Sequence, residues 1–160
     1  MECSIARSLE LVGEWWTFLI LRESFNGVRR FDDMQKHLGI ARNVLTNRLN
    51  SLVENGILSK VLYQEKPERF EYRLTDKGRD MYPVLLALKQ WGDKWLGYPP
   101  TVGFTHKTCG HKTDPQFTCS HCGKPIHVRE MAPELLHPTQ GSVTMIGDSK
   151  RISTKVQKEK

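Results

Sequence analysis

The stretch from Arg30 to Leu58, RFDDMQKHLGIARNVLTNRLNSLVENGIL, decides the fold. Phe31, Met34 and Leu38 recur at helical spacing, and Asp32 and Asp33 fall in the first turn, where acids complement the helix dipole. Gly39 makes a tight turn. Val44, Leu45, Leu49, Leu52 and Val53 then lie on one side of a second helix, which Asn55-Gly56 stops. A short helix, a glycine turn and a second, more polar helix are the parts of a helix-turn-helix, whose second helix enters the DNA major groove. From Gln35 to Val53 there is no Asp or Glu, while Lys36, Arg42 and Arg48 supply positive charge. A helix that approaches phosphates needs that sign.

The rest of the second helix is filled by Arg42, Asn43, Thr46, Asn47, Arg48 and Asn50. Asn and Thr are indifferent helix formers. Their density is better explained by contact, since Asn pairs bidentately with adenine and Arg with guanine. A merely solvated surface is the competing reading, and for an isolated helix it would be favoured; the helix-turn-helix setting favours DNA.

Beyond Gly56 the alternation of Leu58, Lys60 and Leu62 predicts a strand through Tyr63, a turn over 64–68 and a returning strand from Arg69 to Leu74. This hairpin is the wing of a winged helix. Lys66 and Arg69 at its tip, with Arg29 and Arg30 ahead of Phe31, are candidates for backbone contact. Glu65 and Glu68 weaken the tip, and a solvated hairpin competes with the DNA-contacting one.

Upstream, Ile5, Leu9 and Val12 predict a helix ended by Gly13, and Trp15, Phe18, Leu19, Leu21 and Phe25 a second, strongly apolar one that stops at Asn26-Gly27. Downstream, Thr75 is expected to cap a long helix with Met81, Leu85, Leu88, Trp91 and Trp95 along its apolar stripe. Pro83 inside it should kink or divide it. The Trp91–Trp95 ridge reads either as monomer core or as a homodimer seam against a partner's first helix, and the seam is favoured because so small a domain would struggle to cover four tryptophans.

With 160 residues, 38% hydrophobic and 26% charged, the chain suits one ordinary domain plus an appendage. The expected class is mainly α with a small β-hairpin (α+β). Residues 1–98 form the DNA-binding and dimerisation domain, 99–137 a Cys/His appendage, and 138–160 a disordered basic tail. The net charge of +6 is placed unevenly: residues 1–98 carry 15 Lys and Arg against 13 Asp and Glu, so DNA affinity must come from local patches. No apolar run reaches the roughly 20 residues that span a bilayer. With no secretory signal either, the expected location is cytoplasmic, away from membranes. No nucleophile–base pair, phosphate loop or open metal site points to an enzyme.

The run HKTCGHKTDPQFTCSHCGKPI, residues 106–126, holds three of the four cysteines. It contains two half-motifs, His106-x2-Cys109-Gly110 and Cys119-x2-Cys122-Gly123. Paired turns of this kind place four ligands around one structural zinc per chain. His111 and His121 compete with His106 as the nitrogen ligand. A flexible tail with free thiols, or a ribbon that has lost its metal, is the alternative.

The run from Cys3 to Leu58, followed by FEYRLTDKG at 70–78 and PVLLALKQWGDKW at 83–95, closely resembles the HxlR-type winged helix-turn-helix regulators, relatives of the MarR group. The resemblance covers residues 3–97 and includes several motifs in order. It implies a winged helix whose extra terminal helices join two subunits into a dimer on double-stranded DNA with inverted half-sites; the effector stays open. Cys3 sits where some relatives carry a thiol that senses oxidants or electrophiles. It opens a helix with Arg7 one turn on, a setting that permits a lowered pKa. An inert, partly packed thiol is the competing reading. A rival from another class is a protein-interaction module that docks a partner through the winged helix and zinc tail.

Overall fold

The computed structural model describes residues 3–132. In order these form α1 (Ser4–Val12), α2 (Trp15–Phe25), α3 (Phe31–Leu38), α4 (Arg42–Glu54), the hairpin β1 (Leu58–Glu65) and β2 (Glu68–Leu74), a single turn α5 (Asp76–Arg79), α6 (Tyr82–Trp95), and the short pair β3 (Phe104–Thr105) and β4 (Lys112–Thr113). One compact unit extends through Pro125; from Ile126 a second begins, whose described part holds the 3-10 turn Val128–Glu130. Both Cys/His half-motifs thus fall within the same unit as the winged helix. The basic tail expected at 138–160 lies outside the described residues.

Apolar side chains too broadly spread for one stripe make α2 the central helix, touching α3, α4, β2 and α6. Ile20 and Leu21 meet Met34 and Ile40 of the α3 segment, Leu45, Leu49 and Leu52 of α4, and Ile57, Leu58 and Tyr72 of the hairpin. Four of these side chains have no exposed surface from α2 and α4 alone, so burial at roughly 25 cal/mol per Å2 concentrates where the helix-turn-helix meets its support.

Of the glycines predicted to end helices, Gly27, Gly39 and Gly56 do so by supplying left-handed backbone, whereas Gly13 ends α1 at φ −71°. Gly39 has φ +62° and donates to the Gln35 carbonyl, turning α3 into α4. At the end of α4, Gly56 (φ +66°) donates to Val53 O and Ile57 donates to Leu52 O, at 2.9 Å each. These paired bonds satisfy carbonyls that a helix end leaves open, and they seat Ile57 and Leu52 together in the core.

The wing's strands run further toward its tip than the alternation suggests, by two residues on β1 and one on β2. Its register shifts between Leu62 and Gln64, which leaves Tyr63 as a bulge. At its base, Thr75 Oγ1 donates to the Gly56 carbonyl (2.6 Å) and accepts from the Gly78 amide (3.1 Å). Lys77 Nζ donates to Asn55 O, and a Cβ on Gly78 would fall 2.2 Å from Ile57 O. The end of α4, the wing and α5 are therefore locked as one piece.

Pro83 divides the helix after the wing rather than kinking it. The break falls at Asp80–Met81, placing proline in the first turn of α6, where its missing amide costs nothing. The predicted stripe is divided too. Met81 and Leu85 are partly buried, but Leu88, Trp91 and Trp95 stay exposed, as do Ile5 and Leu9 of α1 and Trp15 of α2. None of the described helices is long and apolar enough to cross a membrane.

Candidate nucleic-acid interface

The outward side of α4 begins at Ala41, whose side chain cannot cap the helix; its first turn carries no acid. The free amides and the helix dipole present positive potential there. Asn43, Thr46, Asn47 and Asn50 are exposed. Asn43, Asn47 and Asn50 are spaced three and four apart, so they share a face. Thr46 Oγ1 donates to the Arg42 carbonyl at 2.8 Å, which leaves its lone pairs and methyl group facing out.

Arg42 and Arg48 behave differently. Arg42 lies over the Phe31 ring (4.8 Å) with Asp32 3.7 Å away, and stays largely exposed. Arg48 turns back, its guanidinium 3.7 Å from Glu14 ahead of α2 and its side chain only 28% exposed. Of the two, Arg42 stays open to solvent and Arg48 braces two helices.

A groove runs between the start of α3 and α4 and the wing. It is lined by Arg30, Arg42, Lys60 and Arg69, with Asp32, Asp33 and Glu68 offsetting part of that charge. Arg30 stacks over the bulged Tyr63 (4.7 Å), and Lys60 over Phe70 (4.2 Å). Lys60 and Tyr63 were not among the residues the sequence singled out. Alternation sets Lys60 on the same face as Leu58 and Leu62, so its exposure was not foreseen, and the bulge is what brings Tyr63 to Arg30. Lys66 is exposed at the hairpin tip, where its carbonyl accepts from Gln64 Nε2. Arg29 is exposed but lies outside this groove, its carbonyl holding the Tyr72 amide at 2.8 Å.

Behind the interface sits a carboxylate that periodicity did not reveal. Glu23 is on α2, its side chain 8% exposed. It accepts from Arg22 Nε (3.0 Å) and Nη2 (2.8 Å) and pairs with His37 Nδ1 of α3 (3.0 Å). Burial would push its pKa up, but the hydrogen bonds from His37 and Arg22 outweigh that and hold it below the usual value. The pair fastens α3 to the central helix.

The predicted zinc ligands come together only in pairs. His106 Nδ1 lies 3.3 Å from Cys109 Sγ. The Cys119 thiol faces the amides of Cys122 and His121 and the Cys122 side chain, which lower its pKa. Among the described residues no three His, Cys, Asp or Glu gather at one point that would hold a metal. At the other end, Cys3 is exposed just before α1. The amides of Ala6 and then Ile5 lower its pKa, with Arg7 adding a smaller effect, although Sγ makes no capping hydrogen bond.

Residues 11–99 match the family described as HxlR-like helix-turn-helix. An HTH-type transcriptional regulator of Mycobacterium tuberculosis is 50% identical over 133 residues, covering 82% of this chain and 84% of that protein. A second, from Synechocystis, is 40% identical over 95 residues, covering 59% and 70%. Among solved structures, the transcription-factor candidate PA1607 aligns with a TM-score of 0.73 at 36% identity, covering 83% of this chain and 94% of that one. The reduced form of the redox regulator HypR aligns at 0.56 and 27% identity, covering 59% and 95%.

Proposed function

The chain belongs to the HxlR-like helix-turn-helix family and is a transcriptional regulator with a DNA-binding domain, and on that premise we propose that it reads an inverted-repeat operator as a homodimer. The observation that carries the reading is the outward face of α4, which offers Asn43, Thr46, Asn47 and Arg42 beside a cation-lined groove. Asn43 and Asn47 read bases in the major groove; Arg30, Lys60, Arg69 and Lys66 hold phosphates. The exposed apolar residues of α1 and α6 supply the subunit seam, which supports two recognition helices set one helical turn, about 34 Å, apart.

Titrating the protein with DNA from upstream of its own gene, and with a scrambled duplex, tests this across salt concentrations. Asn47→Ala should weaken operator binding by about 1–3 kcal/mol and spare the scrambled duplex. Lys66→Ala should weaken both alike and flatten the salt dependence by about one counterion. Equal losses on both duplexes for Asn47→Ala would count against base reading.

A second reading rests on Cys3. Its exposure and lowered pKa, with the likeness to a redox regulator, favour a thiol through which an oxidant changes DNA affinity. Mild peroxide should release the wild-type protein from DNA and leave Cys3→Ser bound. An unchanged response in Cys3→Ser would remove this reading.

A further inference from the structure

The two Cys/His turns carry the same hydrogen-bonded frame. In the first, the Gly110 amide donates to His106 O (2.8 Å) and the His106 amide donates to His111 O (2.9 Å). In the second, the Gly123 amide donates to Cys119 O (2.8 Å) and the Cys119 amide donates to Lys124 O (2.8 Å). Both glycines are left-handed, at φ +73° and +70°. Each frame is carried on extended backbone, the first on the β3–β4 pair and the second on a bridge between Thr118 and Pro125. Matching them bond for bond sets His106 on Cys119, Cys109 on Cys122, and Gly110 on Gly123. His111 falls on Lys124, and His121 on Thr108, neither of which is a ligand position.

We propose that His106, Cys109, Cys119 and Cys122 hold one structural zinc ion between the two turns. One imidazole and three thiolates are a donor set that zinc favours, and four protein ligands leave no place for a substrate. Each thiol gives up its proton as it binds. The pairs are already formed, so binding needs the two turns to close on each other. The nine residues from Gly110 to Thr118 between them are exposed apart from Pro115. On the body they are held where Gln90 Nε2 donates to Pro115 O. A segment with so little apolar burial gains from a metal what it lacks in core.

Metal content of the full chain, purified under reductant, tests the proposal, with cobalt(II) exchanged in as a spectroscopic probe. About one zinc per chain is expected, falling to near none in Cys109→Ser and Cys119→Ser. Because His106 occupies the place of a cysteine in the other turn, His106→Cys should keep the metal and strengthen the cobalt–thiolate absorption. His111→Ala and His121→Ala should leave stoichiometry and spectrum alone. Zinc well below one per chain in the reduced wild type would overturn the site. Metal kept in His106→Ala but lost in His111→Ala would overturn the matching of the frames. Neither result bears on DNA binding, which the operator titration reads separately.

Discussion

Helix α4 turns Leu45, Leu49 and Leu52 into the core and leaves Asn43, Asn47 and Asn50 in solvent, whereas α6 leaves Leu88, Trp91 and Trp95 there. Helix α4 buries its inner side completely, whereas α6 only half-buries Leu85 and Leu86 on its own. The bare sides differ in what they ask for. Amide side chains in water lose little by waiting for a base edge, and they gain directional bonds when one arrives. Two half-exposed indoles are unfavourable in water at all times and are relieved by any apolar surface that fits. One face would suit an intermittent polar partner and the other a lasting apolar one.

Three substitutions sharpen that contrast. The largest effect is expected inside α4, where Leu49→Ala should lower unfolding free energy by about 2–5 kcal/mol, read from denaturant midpoints. A change within error would mean that α4 is not anchored as described. Next, Trp91→Glu should shift the protein from dimer to monomer in sedimentation, with subunit affinity weakened by about 2 kcal/mol or more; a persisting dimer would place the seam elsewhere. The smallest is Asn43→Ala, which should cost about 1–3 kcal/mol on operator DNA while stability and sedimentation stay put. A comparable loss of stability there would make the polar face structural.

Much of the winged helix was legible because its signals are local. Gly13, Gly39, the two Asn-Gly pairs and Thr75 each act on the backbone within a turn or two, and each ends or caps an element where its chemistry says it should. What escaped depends on distant partners. Arg48 reads as a DNA-facing cation until Glu14, far away in sequence, is seen beside it. Glu23 reads as a surface acid in an apolar helix until His37 arrives from α3. The bulge at Tyr63 follows from how two strands settle against each other, which alternation in one strand cannot express. The Cys/His spacing already set His106 in the first half-motif with His111 and His121 competing, and the hydrogen bonds of the folded turns add that His106 stands where Cys119 stands in the second.

The lock at the base of the wing has a geometrical consequence. Thr75, Lys77 and the Gly78–Ile57 approach tie α4 and the hairpin into one caliper whose opening is set within a single chain. In the proposed homodimer, a partner seated on α1 and α6 would have no means of altering that opening; it would alter only the distance and angle between two calipers. On that reading, the bases met by α4 and the spacing of the half-sites would be separate adjustments, free to evolve on different surfaces.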